Sequence, residues 1–174
     1  MQRYTRPAVL FHWLIALLII GAFTLGLVMT DIPGITPTKL KYYSWHKWAG
    51  VTVLALAALR LLWRLANSAP AYPDSMPRWE QSAAHYLHLL LYVLMFAVPL
   101  SGYFYTLAAG VPVVYFGVLP LPVLIAPNPE WKPVLKELHY WLTMTMAGAV
   151  GLHIAAALKH VFIDRDGVMK RMLP

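Results

Sequence analysis

The sequence contains no cysteine and few charged residues. Without cysteine the chain cannot form disulfides, thiolate metal sites or iron–sulfur clusters. Any bound metal would therefore need His, Met or carboxylate ligands. Only 12% of the 174 residues are charged, whereas 60% are hydrophobic. This composition lies outside the usual range for soluble domains and indicates an integral membrane protein.

Acidic residues are scarce as well, and the formal net charge is +7. In a soluble protein such a charge would suggest nucleic-acid binding. In this chain the basic residues cluster at the ends of apolar runs, where they usually set topology or meet lipid headgroups. We therefore expect membrane lipid, and no nucleic acid, as a partner.

Four apolar runs are long enough to cross a membrane as helices, which takes ~20 residues for a ~30 Å hydrocarbon core. The sequence predicts an all-α fold, a transmembrane four-helix bundle that forms one domain over residues 1–174. The first run is too long for the apolar region of a signal peptide, so we expect it to remain in the protein. The predicted spans are residues 8–30, 44–65, 83–107 and 133–162.

Basic residues are distributed unequally between the two ends of this bundle. The end with both termini holds nine, and the opposite end holds the five lysines Lys39, Lys41, Lys47, Lys132 and Lys136. The positive-inside rule then places both termini in the cytoplasm. The nine are Arg3, Arg6, Arg60, Arg64, Arg78, Lys159, Arg165, Lys170 and Arg171.

The segment "VPVVYFGVLPLPVLI", residues 111–125, is apolar but contains Pro112, Pro120 and Pro122. Proline removes a backbone donor and breaks a helix, so this segment cannot be a regular fifth span. We expect it to lie along the outer interface and to cover the top of the bundle.

Histidines occur at matching levels of three predicted helices. His139 and His153 are fourteen residues apart, so they share a helix face and differ by ~21 Å in height. His46 starts the second helix at the outer level of His139. His12 starts the first helix at the inner level of His153. The sequence therefore predicts two cross-helix pairs, His46 with His139 and His12 with His153.

Paired imidazoles on facing helices suit a planar macrocycle that takes one axial ligand above and one below, which predicts bis-histidine haem b. The alternative is four separately hydrogen-bonded histidines, but polar groups inside a membrane are costly and rare. A zinc or copper site would need three or four ligands at one point, whereas these lie at two levels. Several glycines could let a macrocycle approach the backbone, although plain helix packing uses small residues too. They are Gly21, Gly26, Gly50, Gly102, Gly148 and Gly151.

A family resemblance rests on the helix-one and helix-two histidines and on "GLHIAAALKH" with a histidine fourteen residues upstream. Together with "AHYLHLLLYVLMFAVPLSGY", this pattern resembles the bacterial cytochrome b-561 family of small di-haem inner-membrane proteins over nearly the whole chain. The resemblance implies two haem b groups, with His46 and His139 holding the outer one and His12 and His153 the inner one. The same ligand arrangement occurs in cytochrome b subunits of membrane hydrogenases and formate dehydrogenases.

The b-561 family and the cytochrome b subunits imply different functions. Resemblance to the stand-alone members of the b-561 family implies a superoxide:ubiquinone oxidoreductase, which takes electrons from periplasmic superoxide and reduces ubiquinone on the inner side. The subunit group implies a non-catalytic haem protein that connects a periplasmic dehydrogenase or cytochrome partner to the quinone pool. The first is our leading hypothesis. A transporter or purely structural bundle would leave the paired histidines unexplained.

On the inner side, the resemblance places His160 and Lys159 at the ubiquinone site, where an imidazole can bond a carbonyl and pass protons. A residue at lipid headgroup level is the alternative for His160. Arg60 lies fourteen residues after His46 and so faces the inner haem level. It could bind haem propionates or act as a snorkelling anchor, and an anchor is favoured for Arg64.

Two further groups of residues have competing interpretations. Among the outer lysines, Lys47 and Lys136 flank the predicted outer ligands and could steer superoxide inward, or they could contact lipid phosphates. His85 and His88 share part of a helix face and could reach the inner haem or the quinone. Structural roles at the interface are favoured for both, because the axial positions are already filled.

Overall fold

Four long α-helices form the protein, and the computed structural model describes residues 3–73 and 75–173. The helices are α1 (Arg6–Asp31), α2 (Pro37–Ala66), α3 (Arg78–Ala108) and α4 (Trp131–Lys159). A π-helical turn, His160–Asp164, and a 3-10 helix, Met169–Arg171, follow α4. All four helices are long and apolar enough to span a membrane, and each contains an 18-residue window with a mean hydropathy between 1.5 and 2.4. The predicted four-helix bundle is confirmed.

The helices extend a few residues beyond most of the predicted apolar spans because local signals outside the hydrocarbon fix their ends. Proline occupies the first turn of α1 and α2, where its missing N–H costs no hydrogen bond. The Thr36 hydroxyl caps α2 by accepting from the Lys39 N–H at 3.2 Å. Before α4, the Asn128 side-chain oxygen accepts from the N–H groups of Glu130 and Trp131.

The end of the bundle where α2 and α4 begin is called the outer end, and the opposite one the inner end. Helix α1 packs on α2, α2 on α3 and α3 on α4, whereas α1 and α4 have few close backbone contacts. A hydrophobic core lies at mid-height; Met146, seven residues from both His139 and His153, belongs to it. The core thus separates an outer from an inner level. Its buried members are Ile15, Val53, Ala57, Leu94, Met95, Met146 and Ala149.

A short antiparallel hairpin, β1 (Val114–Tyr115) and β2 (Leu119–Pro120), lies in the connection between α3 and α4. Its turn residues Phe116 and Gly117 have φ angles of 48° and 73°, which is the backbone geometry of a tight hairpin turn. The sequence analysis missed these strands. Two residues per strand are too few to give a periodic pattern.

The hairpin packs along the side of α2. The Trp48 indole N–H donates to the Val114 carbonyl at 2.8 Å, and the Thr52 and Tyr115 hydroxyls are 2.8 Å apart. Trp48 and Thr52 follow His46 by two and six residues, so they lie about 160° and 120° around α2 from it. The expectation that this segment covers the top of the bundle is therefore wrong, because its hydrogen bonds hold it on a face turned away from His46.

Candidate functional site

The four predicted ligands come together as two pairs. The ring centres of His46 and His139 are 6.1 Å apart with planes at 87°. Those of His12 and His153 are 6.0 Å apart with planes at 70°. Two imidazoles that bind one metal ion from opposite sides through ~2 Å bonds have ring centres about 6 Å apart. Both pairs therefore have the separation of bis-histidine ligation.

Hydrogen bonds orient the outer pair. The Nδ1 atom of His46 lies 3.0 Å from the Ala22 carbonyl oxygen of α1, and Nδ1 of His139 lies 3.1 Å from the Val98 carbonyl oxygen of α3. The Ser101 hydroxyl is a further 3.0 Å neighbour of His139 Nδ1. A carbonyl can only accept, so each Nδ1 carries the proton, and each Nε2 keeps its lone pair for a metal.

Glycines make room for the outer imidazoles. A Cβ atom added at Gly102 would lie 2.9 Å from Cε1 of His139, and one added at Gly26 would lie 3.4 Å from Cε1 of His46. Gly102 therefore cannot carry a side chain unless His139 moves. Four other glycines adjoin open space, since a Cβ atom at Gly21, Gly50, Gly148 or Gly151 would meet no atom within 4 Å. A flat macrocycle needs such space beside helix backbones.

The inner pair has different neighbours. A guanidinium nitrogen of Arg60 lies 3.3 Å from Nδ1 of His12, and the guanidinium carbon lies 5.5 Å from the Tyr92 ring centre. No carboxylate pairs with Arg60 in the part of the chain that the structure describes. A partly buried cation without an anion is unfavourable. A haem carboxylate would supply that anion, so the residues present fit the group.

A third imidazole belongs to the inner cluster. The His88 ring centre is 5.3 Å from that of His153. The sequence favoured a place at the membrane interface for His88, and this prediction of its location is wrong. The side chain lies against His153, a predicted ligand. The missed signal was its position on α3, ten residues inside the helix start. His85 points elsewhere and lines an open cleft of about 400 Å³ with Tyr72 and Arg78.

The predicted quinone residues lie in a network of charges at the inner end of α4. Nδ1 of His160 is 2.7 Å from Oδ2 of Asp166 and 3.2 Å from Oδ2 of Asp164. The Lys159 ammonium pairs with Glu80 of α3 at 2.9 Å and with Asp164 at 2.7 Å. Lys159 is thus engaged by two carboxylates, and it connects the end of α4 to the start of α3.

Asp166 is a functional candidate that sequence reasoning missed. Arg165 adopts a left-handed backbone conformation with φ of 52°, and Gly167 has φ of 76°. The chain therefore reverses after the π-helical turn, and Asp166 returns to His160. The Val168 N–H donates to Oδ1 of Asp166 at 3.0 Å and fixes the carboxylate. No helical periodicity could reveal a contact made through such a reversal.

The outer lysines fall into two classes. The Lys39 ammonium donates to the Ile32 carbonyl at 2.6 Å, and the Lys41 ammonium lies 4.7 Å from the Trp45 ring centre. Within residues 3–73 and 75–173, no hydrogen bond or ion pair engages the ammonium groups of Lys47 and Lys136. These two adjoin the outer pair in sequence, since Lys47 follows His46 directly and Lys136 precedes His139 by three residues.

Comparison with known proteins identifies the family. The family model described as Prokaryotic cytochrome b561 matches residues 3–174. Cytochrome b561 homolog 2 of Escherichia coli (strain K12) is 34% identical over 99% of this chain and 92% of its own length. Cytochrome b561 homolog 1 of the same organism is 27% identical over 100% of this chain and 98% of its own length. The protein named Probable superoxide oxidase CybB of Yersinia pestis is 27% identical over 99% of this chain and 97% of its own length.

These matches cover all four helices and both histidine pairs. The family binds haem b and is of the oxidoreductase type. The geometry and the matches lead to one conclusion: the chain belongs to the prokaryotic cytochrome b561 family, as a multi-pass bacterial membrane protein that transfers electrons.

Proposed function

We propose that the protein is a superoxide:ubiquinone oxidoreductase of the bacterial inner membrane, with two haem b groups and with both termini in the cytoplasm. Two superoxide ions each lose one electron and leave as dioxygen, while one ubiquinone takes two electrons and two protons to become ubiquinol. Bound haem supplies one-electron chemistry. In this proposal His46 and His139 hold the outer group, and His12 and His153 hold the inner one.

The observation that carries the proposal is the pair of ligand sets at opposite ends of the bundle, with ring centres 6.1 Å and 6.0 Å apart. Each set takes one histidine from the first two helices and one from α4. A relative that matches nearly the whole chain bears the name Probable superoxide oxidase. The one-electron step of superoxide oxidation suits haem better than a hydride carrier.

At the outer end, Lys47 and Lys136 would attract the superoxide anion. Neither ammonium is neutralised by an acidic side chain in the described residues. An unpaired positive charge beside a reaction site raises the local concentration of a small anion and its encounter rate. The two side chains therefore act as steering groups, and they exchange no electrons themselves.

At the inner end, His160 would bind a quinone carbonyl through Nε2. Asp166 accepts from Nδ1–H at 2.7 Å, and this charge-assisted hydrogen bond orients the imidazole ring. Nε2 is then the ring nitrogen left to bond the quinone carbonyl and to pass a proton to it. Lys159 holds the π-helical turn in place through Glu80 and Asp164, so we assign it to positioning the site. Arg60 is assigned to the carboxylates of the inner haem.

The test is a stopped-flow experiment on the purified, oxidised haem-loaded protein mixed with a superoxide source. We expect prompt reduction of the haem absorption bands, reversed when a soluble ubiquinone analogue is added. Replacing both Lys47 and Lys136 by Gln should slow reduction several-fold at low salt. The difference should shrink above ~0.1 M ionic strength, where the Debye length is ~10 Å.

Lys170→Gln is the matched control for the single replacements Lys47→Gln and Lys136→Gln, because it also removes one charge, from an exposed residue at the inner end. It should leave the rate of reduction unchanged. Haem that stays oxidised in superoxide would contradict the proposed donor and favour a subunit reduced by a protein partner. An equal loss of rate in Lys170→Gln would show a net-charge effect and remove the two outer lysines from the mechanism.

A further inference from the structure

The connection between α3 and α4 exposes an apolar surface that the proposed function does not use. Residues 111–125 contain no charged side chain. Val118, at the tip of the hairpin, is 84% exposed, and it stands among other exposed apolar side chains. Exposed apolar surface of this extent needs a covering. The other exposed apolar side chains of this surface are Val111, Val114, Phe116, Leu119, Val123 and Leu124.

The position of the hairpin along α2 indicates what covers it. The hairpin is held by Trp48 and Thr52, as described above. Trp48 lies eleven residues after the start of α2 at Pro37, which is about 16 Å below the outer end of that helix. Lys39 and Lys41 lie above this point. The hairpin is therefore below the charged end of the bundle, at the level of His46.

The backbone of the hairpin is suited to an apolar medium. In such a medium each N–H and C=O group needs a partner within the protein. The Gly117 N–H donates to the Val114 carbonyl at 3.3 Å, and the Val118 N–H donates to the Tyr115 carbonyl at 3.1 Å. The Leu121 N–H donates to the Val113 carbonyl at 2.9 Å.

Some polar groups along the rest of the segment are also satisfied or absent. Pro112, Pro120 and Pro122 have no N–H group to satisfy. The Tyr103 hydroxyl donates to the Pro122 carbonyl, and the Tyr115 hydroxyl pairs with Thr52. The segment thus combines apolar side chains with three satisfied turn donors, those of Gly117, Val118 and Leu121, and with three prolines that have no donor. Both features lower the cost of bringing this backbone next to lipid.

We propose that the hairpin tip, residues 116–118, inserts into the lipid leaflet at the outer end, at the boundary between headgroups and acyl chains, and that lipid covers this surface. The Phe116 ring lies 5.1 Å from the Trp48 ring, so the tip continues the belt of interfacial aromatic side chains. This inference does not depend on the superoxide reaction. A surface covered by lipid is not available to a periplasmic redox partner.

Because the chain has no cysteine, a single introduced cysteine can test the proposal. We would compare Val118→Cys with Ile35→Cys in lipid nanodiscs, where both membrane faces are open to a charged, membrane-impermeant maleimide. Ile35 is the matched control: it is 86% exposed against 84% for Val118, and it lies in the loop before α2. Thiolate formation is suppressed in apolar surroundings, so Val118→Cys should react at least about tenfold more slowly.

The haem absorption spectrum checks that each variant is folded, and labelling in denaturing detergent checks that each thiol is reactive. Leu124→Cys, at a side chain that is 61% exposed, is a second reporter and should also react slowly. Equal rates for Val118→Cys and Ile35→Cys in nanodiscs would overturn the proposal and place the tip in water. Since nanodiscs assembled from purified protein, lipid and scaffold protein contain no periplasmic redox partner, slow labelling cannot come from such a partner.

Discussion

The outer and inner histidine pairs have nearly the same separation but different surroundings. At the outer pair, each Nδ1 atom faces a backbone carbonyl, and glycines leave the rings just enough space. At the inner pair, the neighbours are the Arg60 guanidinium and the His88 imidazole. The outer imidazoles are thus oriented mainly by backbone carbonyls, whereas the inner imidazoles lie beside a cationic and a titratable side chain.

This difference bears on the direction of electron transfer. A hydrogen bond from Nδ1–H to a carbonyl makes the imidazole a more basic ligand, which favours oxidised iron. A nearby guanidinium favours the reduced form, because that form carries one positive charge less. With one haem at each pair, as proposed, both effects predict a lower reduction potential at the outer haem than at the inner haem. Electrons would then move inward with a favourable free energy.

The largest expected effect comes from removing a ligand of one pair. His139→Leu should lose the outer haem and His153→Leu the inner one, so each variant should keep about half of the haem of the unmodified protein. The measurement is the haem-to-protein ratio with the absorption spectrum of each variant. His160→Leu is the control and should keep both haems while quinone reduction slows. Equal haem loss in His139→Leu and His160→Leu would contradict the ligand assignment.

A smaller effect is expected from crowding the outer pair. The Cβ atom of Gly102→Ala would lie 2.9 Å from Cε1 of His139, and that of Gly26→Ala 3.4 Å from Cε1 of His46. Gly102→Ala should therefore weaken outer haem binding by ~10-fold or more, as changes around a metal ligand do. Gly26→Ala should weaken it less. Haem titration would measure both, and a larger loss in Gly26→Ala would show that the added contacts do not set the affinity.

The smallest expected effect concerns the inner pair. Arg60→Gln removes the cation that lies 3.3 Å from His12 Nδ1. It should lower the potential of the inner haem by roughly 60 mV, a tenfold change in a one-electron equilibrium. The outer potential should stay the same in a spectroscopic redox titration. Arg64→Gln is the control, because Arg64 is an exposed residue one turn further along α2. An equal fall of both potentials in Arg60→Gln would contradict a local effect.

The sequence predicted which histidines come together because helix geometry is regular. Fourteen residues between His139 and His153 determine both their direction and their separation in height. Topology then gives the partner at each level. The same regularity placed Arg60 beside the inner pair, where the structure has it. Features that depend on one rigid helix can be read from spacing alone.

Contacts between elements escaped prediction. The carbonyls of Ala22 and Val98 are backbone groups on other helices, so no residue type in the sequence marks them. Asp166 reaches His160 only because the chain reverses at Arg165. His88 was misjudged because its neighbour depends on how α3 is rotated against α4. These contacts require the relative placement of two segments, which composition and period do not contain.

The pairing of histidines on α1 and α2 with histidines on α4 has a consequence for biosynthesis. Each pair joins a residue of an earlier helix to a residue of α4, which is translated after the other three helices. Neither pair is complete until α4 has been translated and inserted. Under the proposed ligation, cofactor loading must therefore follow the insertion of α4, and a product truncated before α4 would have only one histidine of each pair.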